Sequence, residues 1–466
     1  MQRKNMWKEY TEIQQKELEE LSVRYKECLD IGKTERECVK LGKKMADTWG
    51  YKNLEDCISE GTTLKAGDKV YADCMGKAFV MFQLGKKPLE EGMNILGAHI
   101  DSPRIDVKQN PLYEDSDMAY LDTHYYGGIK KYQWVTIPLA IHGTIAKKDG
   151  TVQDIIIGEK EDDPVLVISD LLIHLSQQQI EKKAGVVVEG EGLDILVATK
   201  PLTGNDELEK EEKELVKAAV VQFLKENLDM EEEDFLSAEL EIVPAGKARD
   251  CGLDRSMVIG YGQDDRVCAY TSMQAMLDSD VTDRTMCCIL VDKEEIGSVG
   301  ATGMQSHFFE NAVAEVMNLT GEYSELHVRR CLAHSCMLSS DVSSAFDPTY
   351  ASSFDKKNVA YLGGGMVINK FTGARGKSGS NDANAEYLAH LRHIFDKAEV
   401  NFQTAELGKV DLGGGGTIAY ILALYGMNVI DSGVAVLNMH APWEIISKVD
   451  LYEAYRGYIA FLKEQA

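Results

Sequence analysis

The sequence predicts an α/β protein: a central mixed sheet with helices on both faces, plus an inserted β-rich domain. Three observations carry this expectation. Apolar, β-branched runs alternate with stretches of helical period up to about residue 100, and again from 249 onward. Between them, residues 103–248 have a different texture, with strand-like segments and one strongly acidic stretch. The chain has 466 residues, too many for one ordinary core. The α/β domain is therefore assigned to 1–102 and 249–466, and the insert to 103–248.

Residues 6–28 have an apolar spacing near the helical period, and a second helix fits 34–49. Thr34, with Glu37 three residues on, makes a capping box. Segments 69–72, 78–83 and 93–100 alternate as strands, the last running into Ala98-His-Ile-Asp-Ser-Pro103. In the insert, 135–145 and 154–157 read as strands and 120–128 as a loop; 165–179 is apolar and contains His174. Residues 206–235 read as an acidic helical region with a solvated face. The insert carries no dense acid/base cluster, so assembly or covering a site is its expected role.

Past 249, Gln263-Asp-Asp265 opens a helix over 267–277. The apolar run 286–291 leads into Asp292-Lys-Glu-Glu-Ile-Gly297, then a small-residue turn and a helix over 306–319. Residues 331–338 read as a strand ending on Ser339-Ser-Asp341, and 366–371 as another. The loop Gly373-Ala-Arg-Gly-Lys-Ser378 imitates a P-loop, but Phe371 stands where its first glycine is required. A helix over 381–398, a glycine run 413–416, a strand 434–438 ending at Met439-His440, and a helix over 449–465 close the chain.

Composition narrows the function. Hydrophobic residues at 44% and charged residues at 27% are globular values. The net charge of −26 argues against nucleic acid and anionic membranes, which need clustered Lys and Arg. No apolar run reaches the roughly 20 residues of a membrane helix, and the first residues carry no signal-like apolar segment. The 10 cysteines form no CxxC pair, so reduced thiols in a cytoplasmic protein are expected.

Five segments share one grammar. A strand or a helix start is followed by a metal-capable side chain: His99, Asp264, Glu294-Glu295, Asp341 and His440. Ligands gather at the carboxyl ends of strands in an open α/β sheet. Two histidines and three carboxylates suit Zn, with Co or Mn as substitutes. One carboxylate bridging two ions would let five residues hold a pair, leaving an acid of Glu294-Glu295 over as general base. Asp101, two residues past His99, can orient its ring.

These motifs together resemble the M18 metalloaminopeptidases, the aspartyl-aminopeptidase family, over nearly the whole chain. The resemblance implies a zinc-exopeptidase type of fold. It implies that His99, Asp264, Glu295, Asp341 and His440 hold two Zn2+ per subunit, with Asp264 bridging and Asp265 outside the ligand set. Glu294 matches the general base acting on the water the two ions share, and Asp101 the acid that orients His99. The implied reaction is hydrolysis of N-terminal residues from peptides, acidic ones among them. Lys370 and His174 are the assigned substrate contacts, with Arg375 and Lys377 as further cations. His174 lies in a segment that reaches a neighbouring subunit in the family, which assembles as a dodecamer. The 413–416 glycine run and the loosely matching 370–377 region depart from the aspartyl-specific pattern. Two other readings stand beside this one: a related dinuclear carboxypeptidase or deacylase, and a metal-binding assembly protein without turnover. The spare Glu294 argues against the second.

Overall fold

A strand covered on both faces is apolar along nearly its whole length, and Thr285–Val291 is buried at all of its residues and apolar from Met286 on. Met286, Cys288 and Leu290 join one hydrophobic cluster, while Cys287, Ile289 and Val291 join another. The computed structural model describes residues 4–203 and 214–464. It divides the chain into two units: Met1–Ser102, Ala248–Met439 and Glu444–Ala466 form the first, Pro103–Lys247 and His440–Trp443 the second.

The first unit is built on a nine-stranded mixed sheet. Its strands run in the order Lys52–Asn53, Lys69–Cys74, Ala78–Gln83, Thr285–Val291, Met93–His99, Cys336–Ser340, Asn428–Gly433, Met366–Asn369 and Phe402–Thr404. Helices Glu12–Ile31, Gln263–Leu277, Ala385–Lys397 and Lys448–Lys463 pack their apolar residues into one cluster. Phe308–Leu319 and Glu325–His334 pack into the other. This is the α/β architecture expected, with helices on both faces. Each fully buried Leu, Ile or Phe contributes about 1.5–3 kcal/mol, so two such clusters hold the sheet rigid at its centre.

Local chemistry sets the element ends. Thr34 Oγ1 accepts the Glu37 N–H at 3.2 Å and Glu37 Oε2 accepts the Thr34 N–H at 3.1 Å, the reciprocal cap that the sequence carries. Residues 331–338, expected as one strand, are instead the end of helix Glu325–His334, a break at Ser335, and the strand Cys336–Ser340. Val328, Cys331 and Leu332 are buried at helical spacing, and this outweighs the apolar run that suggested a strand.

The second unit holds a six-stranded sheet in the order Val152–Ile157, Leu139–Ala146, Ala238–Pro244, Arg104–Asp115, Met118–Tyr126 and Ile195–Ala198. All of its pairings are antiparallel. Residues 120–128, expected as a loop, mostly form the strand Met118–Tyr126, because Ala119, Leu121 and Thr123 alternate inward against Arg104–Asp115. Helix Leu215–Leu228 lies within the expected acidic helical region. The acidic run from 206 to 213 lies outside the described residues.

Candidate metal centre

Three neighbouring parallel strands end side by side. Thr285–Val291 pairs with Met93–His99, placing Val291 opposite His99, and Cys336–Ser340 pairs with the other edge of Met93–His99. Whatever follows these strands therefore converges. Residues 292–295 follow the first, His99 and Asp101 close the second, and Asp341 follows the third. Asp264 arrives separately, at the start of helix Gln263–Leu277, where its backbone is not yet helical.

His99 is the hub and is only 1% exposed. Its Nδ1 lies 3.0 Å from the Asp101 carbonyl oxygen and 3.3 Å from Asp101 Oδ1. Its Nε2 faces Asp264 Oδ1 at 3.3 Å, Asp341 Oδ1 at 3.9 Å and Glu294 Oε2 at 4.0 Å. That nitrogen makes no hydrogen bond among the described residues. His99 forms one group with Glu294 and Glu295 and another with Asp265 and Asp341, the ligand atoms of each lying within 4.8 Å of one another.

The electrostatics are those of acids crowded around one ring. Burial pushes the Asp341 carboxyl well above the carboxylate range, and the charges of Asp265 and Asp264 push it further, with His99 opposing. Burial raises Asp265 in the same way, again opposed by His99. For His99, burial favours the neutral ring, but the carboxylates of Asp101 and Asp264 outweigh it and push its pKa well above the ordinary value. A divalent cation would relieve this arrangement, offsetting the acids and using the lone pair of Nε2. Oxygen and imidazole donors without thiolate suit zinc, and His99 Nε2 lying 3.3 Å from Asp264 Oδ1 and 3.9 Å from Asp341 Oδ1 matches bonds of about 2.0–2.2 Å to one ion. The residues fit the metal.

Comparison with known proteins decides the family. Residues 29–462 match the family of aminopeptidase I zinc metalloproteases, M18. A probable M18 family aminopeptidase 1 from Clostridium acetobutylicum is 62% identical over 459 residues, covering 98% of each chain. The chain belongs to the M18 family of zinc aminopeptidases. The crystal structure of an M18 aminopeptidase from Thermotoga maritima superposes with a TM-score of 0.94 at 43% identity, over 100% of each chain. The S. cerevisiae mApe1 dodecamer shares the fold at a TM-score of 0.74 and 19% identity, over 95% of this chain and 96% of that one.

Among the sequence candidates of this M18 chain, His99, Asp101, Asp264, Glu294, Glu295 and Asp341 lie in the first unit, and the contacts above join them around His99. Asp265 stands closer to the cluster than its place outside the ligand set suggests, with both carboxylate oxygens buried. His440 falls in the second unit, where its Nδ1 lies 2.9 Å from the Gly128 carbonyl oxygen. His174 is in the same unit, exposed beside Leu172, Ile173 and Leu175. Lys370 is exposed just past the strand Met366–Asn369, its carbonyl accepting the Ala383 N–H at 2.8 Å.

Ser102, Glu444 and Tyr25, three buried residues to which the sequence assigned no role, grip Asp264 and its neighbour Gln263. Ser102 Oγ donates to the Asp264 carbonyl at 2.7 Å, and Glu444 Oε2 accepts the Asp264 N–H at 3.0 Å. The Gln263 side chain donates to the Glu444 carbonyl at 2.6 Å and accepts from the Tyr25 hydroxyl at 3.2 Å. The only sequence signals were the proximity of Ser102 to His99 and of Glu444 to His440.

Proposed function

We propose that this M18 enzyme is a dinuclear zinc aminopeptidase, with His99, Asp264, Glu295, Asp341 and His440 as ligands, Asp264 bridging, and Glu294 as general base. One observation carries the reading: the buried Nε2 of His99 makes no hydrogen bond and faces three carboxylates within 4.0 Å. Zinc bound there supplies Lewis acidity toward the scissile carbonyl and lowers the pKa of water.

The protein's own groups do the rest. Glu294, directly before the assigned ligand Glu295, takes the proton of the attacking water and returns it to the leaving amine. Asp101 orients the His99 ring through Nδ1 and leaves Nε2 for the ion. The assignment of His440 rests on the motif Asn438-Met-His440. Lys370 and His174 are the cations assigned to meet an acidic first side chain.

Homo-oligomerisation is part of the same reading, and the dodecameric S. cerevisiae relative supports it. Size-exclusion chromatography with light scattering tests this part. A reducing compartment such as the cytoplasm suits 10 free cysteines.

The catalytic test compares a dipeptide bearing a free α-amine with its N-acetylated form, with zinc content measured on the same sample. Release of the first amino acid from the free form alone, at two ions per chain, is the expected result. Equal cleavage of the acetylated form would instead favour a deacylase or carboxypeptidase reading.

A further inference from the structure

We propose that Glu444 is a positioning residue that sets the backbone of Asp264 for metal binding. A short arc joins the strand Met257–Gly260 to the helix Gln263–Leu277. The first N–H groups of a helix have no partner within it, and Asp264 (φ −78°, ψ 106°) and Asp265 (φ −117°, ψ 30°) are outside helical geometry. A ligand in such an arc is not held by a regular element, so outside groups must fix its direction.

Glu444 meets this need from two sides. It opens the strand Glu444–Ser447, which pairs antiparallel with Met257–Gly260, Glu444 lying opposite Gly260. One end of the arc is therefore tied to the residue whose side chain ties the other. From there Glu444 Oε2 accepts the Asp264 N–H at 3.0 Å, and its carbonyl oxygen accepts Gln263 Nε2 at 2.6 Å. Glu444 is 1% exposed, so water does not compete for the bond.

The start of the arc is crowded by side chains. Gly262 has φ +68°, and a Cβ there would lie 1.6 Å from Arg266 Nη1 and 2.9 Å from Ser102 Oγ. Ser102 Oγ fixes the opposite side of Asp264 through its carbonyl at 2.7 Å. The two peptide groups that flank the Asp264 Cα are thus held, the first at its N–H by Glu444 and the second at its C=O by Ser102. Its carboxylate is aimed at His99 Nε2, 3.3 Å away.

The inference rests on Asp264 being a metal ligand, and the experiment separates the two. Zinc affinity is measured against a competing chelator, alongside the visible spectrum of the cobalt-loaded protein and the Tm of the metal-free protein. Asp264→Asn tests the ligand assignment; binding unchanged from wild type would overturn it. Glu444→Met keeps the length and removes the acceptor. It is expected to weaken metal affinity about 10–100-fold, the usual cost of losing an outer-shell partner, and to alter the cobalt spectrum. Glu444→Gln keeps an oxygen for the same N–H and is expected to restore both. Glu444→Asp withdraws the carboxylate by one methylene and should behave like Glu444→Met, which keeps the test available if the Met variant does not fold. Wild-type affinity and spectrum in Glu444→Met or Glu444→Asp would overturn the proposal. So would a loss in Glu444→Gln equal to that in Glu444→Met.

Discussion

Asp101 and Glu294, 193 residues apart in sequence, are joined by a hydrogen bond from the Glu294 N–H to Asp101 Oδ1 at 3.1 Å. The other oxygen, Oδ2, accepts the Glu295 N–H at 3.2 Å. Oδ1 also lies 3.3 Å from His99 Nδ1. One fully buried carboxylate therefore sets both the imidazole and the turn that carries the assigned base and ligand.

Asp101→Asn should disturb both at once. The amide keeps one acceptor and turns an NH2 toward an N–H that needs an oxygen. Metal affinity is expected to fall about 10–100-fold. Zinc titration in a chelator buffer measures it, and unchanged affinity would show that the carboxylate is not needed to orient His99.

Glu294→Gln separates proton transfer from metal binding. The amide fills the same volume but cannot take a proton, so kcat should drop by about 10²–10⁴-fold, the range for a lost general base. Zinc content should stay at the wild-type level, because the assigned ligands are untouched. Elemental analysis with steady-state kinetics reads both, and loss of metal in this variant would move Glu294 into the ligand set.

Much of this site was legible in the sequence because its grammar is local. His99, Glu294 and Asp341 each follow an apolar run by a few residues, and parallel strands bring such ends together whatever the loops do. The capping box of Thr34 and Glu37 was legible for the same reason, both partners lying within one turn. The grip on Asp264 was not: Ser102 is 162 residues away and Glu444 180, and a single buried hydrogen bond leaves no periodic trace. Residues 331–338 misled because an apolar run of that length fits a strand or one buried side of a helix equally well.

Stability should carry a distinct pH signature from Asp450, at the start of the helix Lys448–Lys463. Burial pushes its carboxyl up to about 8, although the Gly363 and Gly365 N–H groups favour the ionised form. In the unfolded chain the same group titrates at about 3.9. The folded state therefore holds a proton that the unfolded state has released between these values, so this group's contribution is complete at low pH and is lost as pH rises through about 8. Asp450→Asn removes that proton exchange but leaves one glycine N–H without its acceptor. The variant should be less stable than wild type near pH 5, and the gap should narrow as pH approaches 8. Thermal unfolding across that range checks it, and a constant gap would mean that Asp450 does not titrate between the two states.

The strands that end at the site rest on an apolar cluster. Phe309, 2% exposed on helix Phe308–Leu319, belongs to the same cluster as Ile95, Ile289 and Val291, on strands that end at the site. Phe309→Ala removes a buried ring from a close-packed region and should cost about 3–5 kcal/mol, read by denaturant unfolding of the metal-free protein. The side chain is not among the assigned ligands, so the metal-loaded enzyme should keep its zinc stoichiometry below the unfolding transition. Bound metal should also recover part of the lost stability, because an ion that binds only the folded state raises it by mass action. If Phe309→Ala instead lost its zinc while still folded, the cluster would be setting the geometry of the strand ends as well as their stability.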